Sequence, residues 1–303
     1  MQLKSFNVCP AVSENIVKKI TNALCKLAQP KIFMEWGSGG STLFYLDFFI
    51  RNNIACSFLS VECELSWHRK VIEKIHDKYD GLLAQEIYSY QNWSEAKCRK
   101  YLKAREQKLL CDIPDLIRKL SVGKNRLKEA ILKENGSFLK DGYYSVYVNN
   151  LINFKYILKA ECFKDQYGES PLKDEYVNSG IFEIESFLNE NPKSSLAIVI
   201  DGGPRLDILK ALLAVEKKYT QANLFICLHD GARHFYQEVL SEYPEGYFVK
   251  GSGYKVGGSP TFSKQQYIDP QIEENKVWYG QKAPKIKTLL DKEGWFYEKT
   301  GNT

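Results

Sequence analysis

Residues 11–28 place Ile16, Ile20, Ala23, Leu24 and Leu27 at helical spacing, with Ser13 positioned to cap the start and Pro30 just past the end. The period then shortens. KIFMEW (31–36) predicts a buried strand that runs into Gly37-Ser38-Gly39-Gly40-Ser41-Thr42. Residues 41–52 predict a helix, IACSFLSVE (54–62) a second apolar strand, and Ser66 to about Tyr79 another helix. This strand–loop–helix–strand–helix order is the opening of a doubly wound α/β sheet.

The rhythm breaks between residues 80 and 175. Lys, Leu, Glu and Ala dominate 94–133, predicting two or three helices split near Pro114 and Gly123, and YYSVYV (143–148) is a β-type run after an Asp141-Gly142 turn. No Gly/Pro/Ser-rich linker sets this stretch apart. Residues 80–175 are therefore expected to be a mainly helical, basic insert in a single domain spanning 1–303. The α/β alternation returns with SLAIVID (195–201), a helix over 205–218, ANLFICLHD (222–230) and a helix over 232–243. Continuous apolar runs of this kind suit parallel strands covered on both faces. Residues 247–262 predict a terminal antiparallel strand pair joined by glycine-rich turns, and 284–298 a last helix. The fold class expected is α/β: a Rossmann-like, mostly parallel sheet.

Composition narrows the class without changing that picture. Apolar residues at 44%, charged residues at 26% and aromatics at 13% of 303 residues describe a globular chain and exclude a disordered or collagen-like one. No apolar stretch approaches the length of a membrane span, and the first twenty residues lack the apolar core of a secretory signal. A cytoplasmic location is expected. The eight cysteines include no CxxC pair and read as free, mostly buried thiols rather than a zinc site. The net charge of +5 is uneven: residues 94–140 hold 13 Lys/Arg against 6 Asp/Glu, so the rest of the chain is slightly acidic. A solvated helical face or a contact with an anionic partner both fit that stretch.

In an open α/β sheet, ligands bind outside the carboxyl ends of the strands, at the switch point. Read in that light, the predicted strands end on Glu35-Trp36-Gly37, on Glu62, on Asp201 and on His229-Asp230. The first loop supplies glycines for a tight turn and for close approach of a ligand to backbone. Thr42 stands where a dinucleotide fingerprint wants its third glycine, and no phosphate-binding G-x-x-x-x-G-K-[ST] loop is present. Glu62, 25 residues after Gly37, is placed to accept hydrogen bonds from a ribose diol.

FMEWGSGGSTLF resembles the first motif of the class I S-adenosylmethionine-dependent methyltransferases. SVECELSW (60–67) is similar to their second-strand motif, and VIDGGPR (199–205) and CLHDGARHFY (227–236) resemble the fourth- and fifth-strand motifs of one subgroup. The resemblance covers about 31–80 and 195–240, under a third of the chain. It implies S-adenosyl-L-methionine as cofactor. Glu35 would contact its methionine end, and Gly37, Ser38 and Gly39 would pass beneath it. Ser41 and Thr42 would offer groups at the helix start, Glu62 would hold the ribose hydroxyls, and Asp201 would lie beneath the sulfonium and the acceptor. Carboxylates suit a cationic sulfonium and its ammonium group better than a pyrophosphate.

Methyl transfer is an in-line displacement, and a hydroxyl acceptor gains from a base that takes its proton. His229 is the candidate base, with Asp230 beside it to orient it or act instead. The histidines at 68, 76 and 234 fall in helical stretches and read as surface residues. Arg205 and Arg233 follow the two late motifs and either bind an anionic acceptor or form helix-start salt bridges. Related sugar and catechol O-methyltransferases hold a divalent cation at acids in the positions of Asp201 and Asp230, so a cation such as Mg²⁺ is a second cofactor to test. The leading expectation is O-methylation of a sugar or glycan hydroxyl. A nucleic-acid methyltransferase tracking phosphates with the basic stretch is the second reading, and a non-catalytic nucleotide-fold binding protein the third. The acceptor and the oligomeric state are not specified by the sequence.

Overall fold

A computed structural model describes residues 32–92, 94, 140–159, 173–228, 236–243, 246–249, 277–281 and 296–299. Five strands form the parallel centre of one sheet: β1 (Ile32–Trp36), β2 (Cys56–Glu62), β5 (Ile152–Lys159), β6 (Ser195–Ile200) and β7 (Asn223–Leu228), in the spatial order β5-β2-β1-β6-β7. Antiparallel strands extend both edges. On one side lie β4 (Lys140–Val148) and then β3 (Leu83–Asn92). On the other lie β9 (Val277–Gln281), β8 (Gly246–Val249) and β10 (Phe296–Lys299), so that the described residues hold ten strands in a single sheet.

Helices cover both faces. Helix α1 (Gly40–Arg51) and α2 (Leu65–Tyr79) pack Leu43, Phe44, Phe49, Val71 and Ile75 against Phe33, Phe58 and Phe154. On the opposite face α3 (Lys173–Glu190), α4 (Arg205–Lys218) and the short α5 (Gln237–Ser241) bury Tyr176, Ile184, Leu209, Leu212 and Val239 against Met34, Trp36, Ile198 and Ile226. Strands buried on both faces need apolar side chains in both directions, which is why β1 and β6 read as unbroken apolar runs. Helix α3 can lie close because residue 180 is glycine: a methyl group there would sit 2.4 Å from the Trp36 ring.

The central expectations hold. Predicted strands over 31–36, 54–62, 195–201 and 222–230, and helices over 41–52, 66–79 and 205–218, are found within one or two residues. The fold is Rossmann-like α/β. The middle of the chain differs. The described parts of 80–175 are mostly strand: β3, β4 and β5 belong to the sheet, and β5 is its third parallel strand. Alternation of apolar and polar side chains on β4 and β5 follows from their antiparallel pairing near the edge. Helix α3 was not expected, and the helices predicted over 94–133 lie almost wholly outside the described residues, as does the helix over 11–28. The antiparallel pair near the C-terminus is real, but its members are 246–249 and 277–281 rather than two halves of 247–262. The final helix over 284–298 is corrected at its end, where Phe296–Lys299 is a strand paired with β8.

Candidate functional site

The strand order reverses between β1 and β6, the switch point of the sheet, and the glycine loop lies there. The Trp36 carbonyl accepts both the Asp201 and the Gly202 amide (2.9 Å each), while the Gly37 amide donates to the Val61 carbonyl (3.0 Å). The ends of β1, β2 and β6 are thus tied together by backbone. Gly37 has φ +89°, a conformation costly for other residues, and a Cβ on it would fall 2.5 Å from the Gly202 nitrogen. Gly39 behaves differently: a Cβ there would meet nothing within 4 Å, leaving open space above the loop.

Glu35 is the one acid in a strand buried along its whole length. It points toward the N-terminus of α1, where Ser41 Oγ donates to one carboxylate oxygen and Thr42 Oγ1 to the other (2.6 Å). Thr42 is itself oriented by the Gly39 amide, which donates to its hydroxyl (3.0 Å). Ser60 Oγ lies 3.5 Å from the same carboxylate, on the neighbouring strand. Burial raises the Glu35 carboxyl to about 8 against the pull of the two hydroxyls, and the charges of Asp201 and Glu62 push the same way. A buried carboxyl without a cationic partner gives up its charge rather than pay for desolvation.

Glu62 closes β2 and accepts four hydrogen bonds. The amides of Cys63 (2.7 Å) and Glu64 (2.8 Å) reach Oε1, and the Ser38 amide (2.9 Å) and hydroxyl (2.5 Å) reach Oε2. Its carboxyl is also raised by burial, opposed by those bonds. Ser38 Oγ additionally meets the Tyr156 hydroxyl, a fully buried group from β5. Asp201 follows β6 at the same rim. Arg205 Nη2 donates to its backbone carbonyl (2.8 Å) and stands 3.6 Å from Oδ1, so the helix-start salt bridge considered for Arg205 is formed.

Glu35, Gly37, Ser38, Gly39, Ser41, Thr42, Glu62, Asp201 and Arg205 therefore gather around one loop. His229, Asp230, Arg233 and His234 lie outside the described residues. The reading of His68 as a surface residue is overturned. It is fully buried, its ring stacks on Tyr156 at 4.1 Å, Nδ1 lies 3.0 Å from the Tyr90 hydroxyl and Nε2 lies 3.3 Å from the Tyr156 carbonyl. A carbonyl only accepts, so Nε2 carries the proton and Nδ1 accepts from Tyr90. Burial lowers the His68 ionisation to about 4, and the ring is neutral. Helical spacing alone did not reveal that this turn of α2 faces β5. His76 is partly exposed and pairs with Glu86 (2.9 Å). Tyr156 was missed because β5 was hidden in the presumed insert. Its sequence signal is FKYIL, a strand-like run after the Asn149-Asn150 turn.

Three acids stand around the loop. Glu35, Glu62 and Asp201 lie at the ends of β1, β2 and β6, close enough for the charges of Asp201 and Glu62 to act on Glu35, with open space over Gly39. Among the described residues no group of three His, Cys, Asp or Glu is placed to hold a metal ion, and Asp201 alone of the two expected ligands is described. No described helix is long and apolar enough to cross a membrane. The sequence matches no family model and no curated protein significantly.

Proposed function

We propose that this chain is an S-adenosylmethionine-dependent methyltransferase that methylates a hydroxyl, most simply that of a sugar or glycan. The observation that carries this reading is the convergence of Glu35, Glu62 and Asp201 around a glycine loop at the switch point, with no phosphate-binding loop beside them. Acids in this arrangement favour an ammonium and a sulfonium and disfavour a phosphate.

When bound, the cofactor supplies a methyl group made electrophilic by the sulfonium. Glu35 would face its ammonium group and Glu62 its ribose hydroxyls, while Asp201 would lie toward the positive centre. The Gly37–Gly202 contact fixes the spacing of the two strand ends, so positioning comes from rigid backbone. His229, one residue beyond the end of β7, would take the acceptor hydroxyl's proton, with Asp230 as its alternative. The sugar assignment rests on the motif resemblance.

Isothermal titration calorimetry with S-adenosylmethionine and S-adenosylhomocysteine, with and without Mg²⁺ and with NAD as control, tests the reading. Micromolar binding of the two methionine-derived ligands supports it, and a gain with Mg²⁺ adds the metal. Absence of binding by both removes it. Salt-dependent retention of the chain on RNA would instead favour a nucleic-acid acceptor.

A further inference from the structure

The Glu62 carboxylate offers about four lone-pair sites. All four are used within the chain: by the amides of Ser38, Cys63 and Glu64 and by the Ser38 hydroxyl. The three amides belong to backbone held by the strand ends. Only the Ser38 hydroxyl can leave, by rotation about its Cα–Cβ bond. A ligand hydroxyl that reaches Glu62 must take its place.

The exchange is chemically one for one. Ser38 has a single hydroxyl proton, and Glu62 takes it, so the contact between Ser38 Oγ and Tyr156 is donated by the phenol. An incoming hydroxyl that donates to Glu62 and accepts from Tyr156 reproduces both bonds. Tyr156 cannot follow Ser38 away, because its ring is fully buried and stacked on His68, whose Nε2–H lies on the Tyr156 carbonyl. Burial also keeps its phenol protonated, with an ionisation well above the usual value.

We propose that the Ser38 hydroxyl is a placeholder for a ligand hydroxyl on Glu62, and that Tyr156 is a second binding residue for that hydroxyl. This rests on the methyltransferase reading, in which the hydroxyl belongs to the ribose. The pocket then selects a group that donates and accepts at once. It rejects a ribose phosphate, which offers Glu62 no proton.

The test is calorimetry of S-adenosylhomocysteine and its 2′,3′-dideoxy analogue on the wild-type chain, Ser38→Ala and Tyr156→Phe, with circular dichroism to check each fold. Ser38→Ala has no hydroxyl to displace, and its affinity for S-adenosylhomocysteine should rise by about threefold to tenfold, the worth of one net hydrogen bond. Tyr156→Phe should lose a similar factor for S-adenosylhomocysteine and almost none for the dideoxy analogue. The wild-type chain should bind the dideoxy analogue more weakly, which tests the pocket without any variant. Equal or weaker binding of S-adenosylhomocysteine by Ser38→Ala overturns the placeholder, and equal wild-type affinity for both ligands overturns the hydroxyl pocket. If the wild-type chain binds neither methionine-derived ligand, the methyltransferase reading falls and the placeholder with it.

Discussion

Gly37 and Gly202 face each other across the switch point with no room for a side chain on either: a Cβ on Gly37 would lie 2.5 Å from the Gly202 nitrogen, and one on Gly202 would lie 2.7 Å from the Gly37 Cα. Both obstacles are backbone that the Trp36 carbonyl holds in place. Gly37→Ala should therefore destabilise the chain by about 1–3 kcal/mol through its positive φ alone, and should widen the gap between the strand ends. Urea denaturation measures the first effect, and loss of S-adenosylhomocysteine affinity beyond the stability change measures the second.

The Glu35 carboxyl gives the fold a pH dependence of definite sign. Its folded ionisation near 8 lies above the usual 4.5, so its stabilisation is full below 4.5 and is lost as pH rises through 8. His68, lowered to about 4, works the other way: its contribution is full above 6.5 and is lost as pH falls toward 4. The two slopes oppose each other between 4.5 and 6.5. Between 6.5 and 8 only Glu35 of these two remains, and stability should fall by up to about 1.4 kcal/mol per pH unit from that group. Glu35→Gln keeps one acceptor oxygen in place of two and no titrating group, and should flatten that interval in denaturation curves.

A cation beside Glu35 should restore its charge. Binding of S-adenosylhomocysteine, which carries an ammonium group, is then expected to release a proton from the wild-type chain near pH 7. Titrations in buffers of different ionisation enthalpy read that proton directly, and Glu35→Gln should release none.

Glu62→Ala removes the acceptor for three amides and a hydroxyl at once. S-adenosylhomocysteine should bind about tenfold to a hundredfold more weakly, as expected for a lost hydrogen bond to a charged group. The melting temperature of the ligand-free chain should drop too, because the Ser38, Cys63 and Glu64 amides lose their partner.

His68→Phe retains the stack on Tyr156 and deletes both ring-nitrogen contacts. It should cost about 1–3 kcal/mol, the penalty for partners left unpaired, seen in the denaturation midpoint. The pH profile of ligand binding above 6 should not move, since the His68 ring is neutral throughout that range.

The sequence was most readable where period and chemistry agreed. Phe33 and Met34 alternate between the two cores, and Glu35 interrupts them at the rim, so both strand and site were visible in one hexapeptide. Glu62 and Asp201 were legible for the same reason, as acids closing apolar runs. His68 was not, because its burial depends on Tyr90 and Tyr156 from strands remote in sequence. Strand β5 was obscured by its neighbours: the Lys- and Leu-rich composition of 94–133 coloured the reading of everything from 80 to 175. Helix α3 was missed because Asn178, Ser179 and Gly180 interrupt its apolar spacing, although Pro171 and Pro192 bracket it.

Asn92 at the end of β3 and Lys140 at the start of β4 are register partners across an antiparallel ladder. The chain thus leaves the sheet after Asn92 and rejoins it at Lys140, adjacent points of one ladder. The cost of closing such a loop grows only slowly with its length. That stretch is therefore an exchangeable cassette: replacing it with an Asn-Gly turn should leave the ten-stranded sheet and its rim standing. Six of the surplus positive charges would go with it, separating what the sheet binds from what the cassette adds.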